Sequence, residues 1–177
     1  MEDGPANMRY RAAMPTLRPY AAQDWPHFLQ LDLETAEDGL GTDATEVERA
    51  TLRERWPALL DVNLGFSKAG FRRPGAQLWV LEGEGGKYIG HLWLTEKDDA
   101  IHCTRTLEVT TMGVVREERG KGYGRFLMLK AEQEAKARGI EVIVLSVAGH
   151  NRRAREIYDE LGYETVASTL RKRLRDG

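Results

Sequence analysis

Three stretches carry residue types that could do chemistry together. The first is Arg119-Gly120-Lys121-Gly122-Tyr123-Gly124, in which glycines recur at alternate positions between basic side chains. Glycines so spaced leave the main chain bare and tolerate backbone angles that turn successive N–H groups into one concavity. A β-rich apolar run (Val109, Thr110, Thr111, Met112, Val114, Val115) and a charged turn precede the loop, and residues of helical periodicity come after it. The loop therefore opens a helix whose first N–H groups and positive dipole end face the same point. A diphosphate suits that cradle, with Arg119 and Lys121 at its rim. A tight strand-to-helix turn without a ligand is the alternative that three glycines alone leave open. The second stretch is Asn151 to Gly162, where Asn151 is a helix cap and Ala154, Ile157, Tyr158 and Leu161 form an i, i+3, i+4, i+7 stripe ended by Gly162. The third is Glu108, a carboxylate in the strand that leads to the loop.

Two nucleotide motifs fail on spacing. A phosphate loop of the G-x-x-x-x-G-K-[ST] kind needs a hydroxyl for magnesium, and Gly120 is followed by Lys121 and Gly122 instead. A dinucleotide fingerprint needs G-x-G-x-x-G at the opening of a βαβ unit, whereas G-x-G-x-G stands here far along the chain, after apparently antiparallel strands.

The elements that must position these residues come from periodicity. Met1 to Met14 has none and reads as a flexible leader, leaving residues 15–177 as one domain. Thr16 to Tyr20 is a short strand, and Asp24 stands as the cap of a helix carrying Trp25, Phe28, Leu29 and Leu33. Asp43 to Trp56 is a second, highly charged helix that Pro57 should stop. Ala58 to Pro74 reads as loop with a short helical piece. Leu78 to Leu81, a glycine turn at Gly83 to Gly86, and Tyr88 to Leu94 make a hairpin. Lys97 to Asp99 is expected to turn into a central strand over Leu107 to Val115. A helix over Tyr123 to Arg138 buries Leu127, Ala131 and Ala135 and stops at Gly139. Glu141 to Val147, almost wholly Val, Ile and Leu, predicts a strand buried on both faces and reached by a right-handed crossover. Glu164 to Leu174 should add one or two last strands.

Composition bounds the function. With 177 residues, 41% hydrophobic and 31% charged, and a formal net charge of −2, the chain has no global attraction for nucleic acid or an anionic membrane. No apolar run approaches the ~18 residues that span a bilayer, and no signal-peptide core opens the chain. Cys103 is the single cysteine, which excludes an intrachain disulfide and a thiolate metal cluster and fits a reducing compartment, the cytoplasm. His91 and His102 lack partners at ligand spacing and read as structural, so no metal site is expected.

Taken together, the strand end Met112-Gly113-Val114 with the loop Arg119 to Gly124, and Asn151 to Glu164 with Asn151, Ala154, Tyr158, Gly162 and Tyr163 in place, closely resemble the two signatures of the GCN5-related N-acetyltransferase (GNAT) superfamily. Arg116 departs from the proline many relatives carry, which touches the turn more than the chemistry. The resemblance implies an α/β fold: a mixed, mostly antiparallel sheet of six to seven strands flanked by about four helices. It implies acetyl-CoA as acyl donor and an amine as acceptor, with the helix pair over residues 24–56 above the acceptor site, where Asp38 and the Glu46 to Arg55 charges stand. Homodimers are common among such proteins.

Acyl transfer from a thioester to an amine needs a held thioester, a neutral amine and a proton for the departing thiolate. The resemblance assigns the first to backbone groups of Met112, Gly113 and Val114, between two splayed parallel strands, and to the Arg119 to Gly124 loop on the diphosphate. An N–H near Met112 would polarise the thioester carbonyl, a contribution commonly worth ~3 kcal/mol. Asn151 would hydrogen-bond the pantetheine. Glu108 stands where some members keep a glutamate base; as a plain strand residue it would be exposed or ion-paired. Tyr158 matches the tyrosine that protonates the CoA sulfur, or else packs on its helical stripe. The reading is an N-acetyltransferase working by direct attack in a ternary complex; a catalytically silent acyl-CoA-binding or regulatory module with the same fold is the alternative.

Overall fold

The computed structural model describes residues 15–68, 70–71, 74–99 and 104–172. The leader, His102, Cys103 and the last residues of the chain lie outside that description. Strand β1 (Thr16–Pro19) leads into α1 (Trp25–Leu40) and α2 (Glu46–Leu59). A small hairpin comes next, β2 (Phe66–Ser67) with β3 (Gly70–Phe71), and then β4 (Ala76–Glu82), β5 (Tyr88–Asp99) and β6 (Thr104–Val114). Helix α3 (Tyr123–Ala137), β7 (Val142–Leu145) and α4 (Arg152–Glu160) complete the set. The main sheet runs in the order β1-β4-β5-β6-β7, antiparallel except for the last pair.

The sheet is covered on both faces. Leu92 and Leu94 of β5 and Leu107 and Val109 of β6 meet Leu127, Met128, Ala131 and Ala135 of α3, the stripe that helical spacing predicts. On the other face Trp93 joins Phe28 of α1, Leu60, Phe66 and Leu78 in a second cluster built on edge-to-face rings, such as Phe28 and Phe66 at 5.0 Å and 86°. In the β5–β6 ladder Trp93 faces Thr111 while Leu94 faces Val109, so Thr110 is an extra residue. Such a bulge bends the strand and re-aims the residues beyond it, here Thr111 to Val114.

Several expectations are corrected. Asp24 makes no side-chain cap on α1; its carboxylate turns back to the Ala21 N–H at 2.8 Å and to the Arg18 guanidinium at 2.6 Å. Pro57 does not stop the second helix. It lies inside α2, which starts at a Thr45–Glu48 capping box and loosens into a π turn over Leu60–Leu64. Lys97 to Asp99 continues β5, paired with Thr104 to Thr106, because the hairpin extends the ladder before it turns.

Strand β7 is the edge of the sheet, with Val142 43% exposed, rather than a strand buried on both faces. The reason is that residues 164–172 form no strand, so among the described residues nothing extends the sheet beyond β7, and it holds five strands there instead of six to seven.

Candidate active site

The β6–β7 ladder ends at Val109 opposite Leu145, yet β6 runs on for five more residues. Its far edge, along Met112, Gly113 and Val114, has no strand partner among the described residues, while its other edge stays paired to Gly90, His91 and Leu92 of β5. Two parallel strands thus part beside backbone that could pair with an inserted extended molecule. The Val114 carbonyl is already engaged, accepting from Arg119 Nε at 2.9 Å. Gly113 lies under α1: a Cβ there would come within 3.0 Å of Leu31.

The glycine loop is the next segment of chain. Gly120 and Gly122 take φ of 86° and 85°, angles that L side chains rarely adopt, and Gly122 is the residue before α3, with no side chain capping the helix. The first N–H groups of α3 are therefore available at the loop. Gly124 belongs to the first helical turn, and its missing Cβ is filled from α4, since an added one would meet Ile157 Cδ1 at 3.4 Å. Two glycines shape the cradle and the third seats one helix on another.

The rim cations are paired. Lys121 Nζ is 2.7 Å from Glu118, whose carboxylate this contact holds below its usual range. Arg119 reaches Asp38 near the end of α1 at 3.6 Å, and His150 Nε2 meets the Asp38 carbonyl at 2.7 Å. Arg153 comes to the loop from α4, close to where a Gly120 Cβ would stand. The sequence holds no local signal for Arg153 or His150, because both act across a fold contact.

Asn151 caps α4, its side-chain oxygen accepting from the Ala154 N–H at 3.1 Å. Tyr158 is half-buried against the α3-side core, which Met112 and Leu145 also join, with its ring 6.0 Å from that of Tyr163. Burial raises the phenol above its ordinary pKa, so the hydroxyl stays protonated through neutral pH. Tyr123, the first residue of α3, packs against the same core.

Glu108 lies opposite Thr95 of β5 and is ion-paired with Lys97 at 2.5 Å. It shares a sheet face with Thr111, since their partners Thr95 and Trp93 are two residues apart on β5. That face also holds a polar group that no sequence pattern announces. Asp32 of α1, 3% exposed, accepts from Trp56 Nε1 of α2 at 3.0 Å and is favoured by the Thr111 hydroxyl. His91, fully buried, has Nδ1 at 2.8 Å from the Tyr88 hydroxyl and Nε2 at 3.8 Å from Asp32. Burial pushes Asp32 up to about 6 and His91 down to about 3. The described residues contain no metal-binding group of three or more His, Cys, Asp or Glu, and no helix among them is long and apolar enough to cross a membrane.

Parted parallel strands beside a glycine loop and a helix N-terminus give a slot for an extended molecule that ends at an anion-binding cradle. The acetyltransferase (GNAT) family profile matches residues 41–163, and the chain belongs to that family. It is 28% identical over 105 residues to the N-acetyltransferase YycN of Bacillus subtilis (strain 168), itself uncharacterised; the match covers 59% of this chain and 66% of that one, just under two thirds of its length. A Pyrococcus furiosus structure assigned as an acetyl transferase superposes with a TM-score of 0.71 at 24% identity, over 90% of this chain and all of that one. A Clostridium acetobutylicum structure described as a predicted acetyltransferase with acetyl-CoA gives 0.59 at 18% identity, over 90% of this chain and 96% of that one. Both structural likenesses speak to the fold.

Proposed function

We propose that the protein transfers the acetyl group of acetyl-CoA to a primary amine of a small molecule or peptide, by direct attack in a ternary complex in the cytoplasm. The observation that carries this is the opening between β6 and β7, which ends at Val109 and Leu145 and leads to the Gly120 to Gly122 loop at the α3 N-terminus. Main-chain N–H groups of that loop hold the diphosphate, and backbone of Met112 and Gly113 lines the pantetheine and thioester. Asn151, whose oxygen is spent on its own helix, keeps its amide N–H groups for the pantetheine.

The amine nitrogen needs a lone pair to attack the thioester carbon, so a base must take its proton, directly or through water, and Glu108 on the α1 face of β6 is one candidate. As the C–S bond breaks, Tyr158 gives its hydroxyl proton to the thiolate sulfur. The silent-binder alternative has one observation in its favour, the Lys97 contact that occupies Glu108. Calorimetry with acetyl-CoA, ATP and NAD separates the ligand classes; tight ATP or NAD binding without acetyl-CoA binding would overturn the proposal. An amine panel followed by free thiol separates enzyme from binder.

A further inference from the structure

Asp32 is a buried carboxylate placed beside the reacting strand. The groups facing it are Trp56 from α2, His91 and Tyr88 from β5 and Thr111 from β6, with the Arg18–Asp24 ion pair farther off at the start of α1. None of its immediate neighbours is a cation at neutral pH, since His91 is neutral there. A carboxylate that only tied α1 and α2 to the sheet would be as well served by an amide oxygen, without the cost of desolvating a charge. The carboxyl also meets Thr111, the residue before Met112 and the first one past the bulge in β6.

We propose that Asp32 is the proton acceptor for the acceptor amine, reached through the Thr111 hydroxyl. This rests on the acetyl-transfer reading above and adds a residue that its sequence motifs do not contain. The ammonium N–H passes its proton to Thr111 Oγ as the Thr111 O–H proton passes to Asp32. The freed nitrogen lone pair forms the C–N bond, the C–S bond breaks, the thiolate takes the Tyr158 proton, and the attacking nitrogen gives up its second proton to water to leave the neutral amide. Asp32 then loses its proton, and Tyr158 regains one, by exchange with water. His91 Nε2 stands 3.8 Å from Asp32 without a hydrogen-bond partner, and its neutral ring does not neutralise the carboxylate.

The test is the pH profile of turnover for the wild type, Asp32→Asn, Thr111→Val and Thr111→Ser with one amine, alongside carboxyl-carbon NMR of the wild type and Asp32→Asn. The expected result is a carboxyl titrating near pH 6 that Asp32→Asn removes. Turnover falls by a factor of about 10² in Asp32→Asn and Thr111→Val, with unchanged acetyl-CoA affinity, and Thr111→Ser retains activity. Near-normal turnover with the same acid limb in Asp32→Asn would overturn the proposal, as would equal losses in Thr111→Ser and Thr111→Val. If Asp32→Asn does not fold, the Thr111 pair decides. No turnover in a wild type that binds acetyl-CoA would overturn the transfer reading itself, and is distinguishable from a loss confined to the variants.

Discussion

Arg119, the first residue of the glycine loop, reaches across to Asp38 near the end of α1 at 3.6 Å while its Nε holds the Val114 carbonyl at 2.9 Å. One side chain thus ties the glycine loop both to α1 and to the end of β6. In the proposed complex Asp38 competes with the CoA diphosphate for the Arg119 charge. Asp38→Asn should therefore tighten acetyl-CoA binding by a factor of about 2 to 5, in keeping with a partly exposed pair. Calorimetry at low salt reads it, and weaker binding in the variant would contradict the competition.

Gly122→Val should abolish acetyl-CoA binding while the fold survives. Its φ of 85° costs an L residue about 1–2 kcal/mol, and no other described residue lies within 4 Å of the added Cβ, so the side chain would enter the space proposed for the diphosphate. Gly124→Val should behave differently, pressing on Ile157 and lowering stability by about 1–3 kcal/mol. Thermal midpoints and calorimetry on both variants separate the roles; unchanged affinity in a folded Gly122→Val would remove the loop from the binding site.

These contrasts mark what the sequence could reveal. The loop, the α3 stripe and the Asn151 cap are encoded within a few residues of one another, so spacing exposes them. Asp32 and His91 are 59 residues apart and meet only when α1 lies on β5. Thr110 as a bulge depends on the partner strand, and no local pattern announces it. Pro57 suggests a stop because its missing N–H breaks an interior helical bond, yet it stands near the end of α2, where the chain loosens into a π turn. The C-terminal strands expected after α4 lack an apolar pattern to hold them: residues 164–172 are mostly polar, with Val166 and Leu170 at 83% and 94% exposure.

Glu108→Gln should lower turnover most at moderate pH and less at high pH if Glu108 takes the proton, because more acceptor is then already neutral. If Asp32 takes it, Glu108→Gln keeps the shape of the profile and loses activity evenly. Turnover measured across the pH range distinguishes the two.

Stability carries its own signature of Asp32. Its folded pKa, about 6, lies above its ordinary value of 3.8, so ionising it in the folded protein is costly. As pH falls from about 6 to about 4 the wild type should gain stability relative to Asp32→Asn. His91 works the other way in the same window: held down at about 3, it costs both proteins stability as pH falls below its ordinary 6.5. Urea midpoints between pH 4 and 7.5 give the difference, and a difference independent of pH would contradict the buried-carboxylate assignment.

The central claim is acetyl transfer with Tyr158 as the proton donor, and one measurement meets it most directly: CoA thiol release from acetyl-CoA with an amine panel, for the wild type and Tyr158→Phe. Amine-dependent thiol release is expected in the wild type. Turnover is expected to fall by a factor on the order of 10² in Tyr158→Phe, with fold and acetyl-CoA affinity preserved. Wild-type binding of acetyl-CoA with no amine-dependent thiol would contradict the transferase, and full activity in Tyr158→Phe with chemistry rate-limiting would contradict the donor.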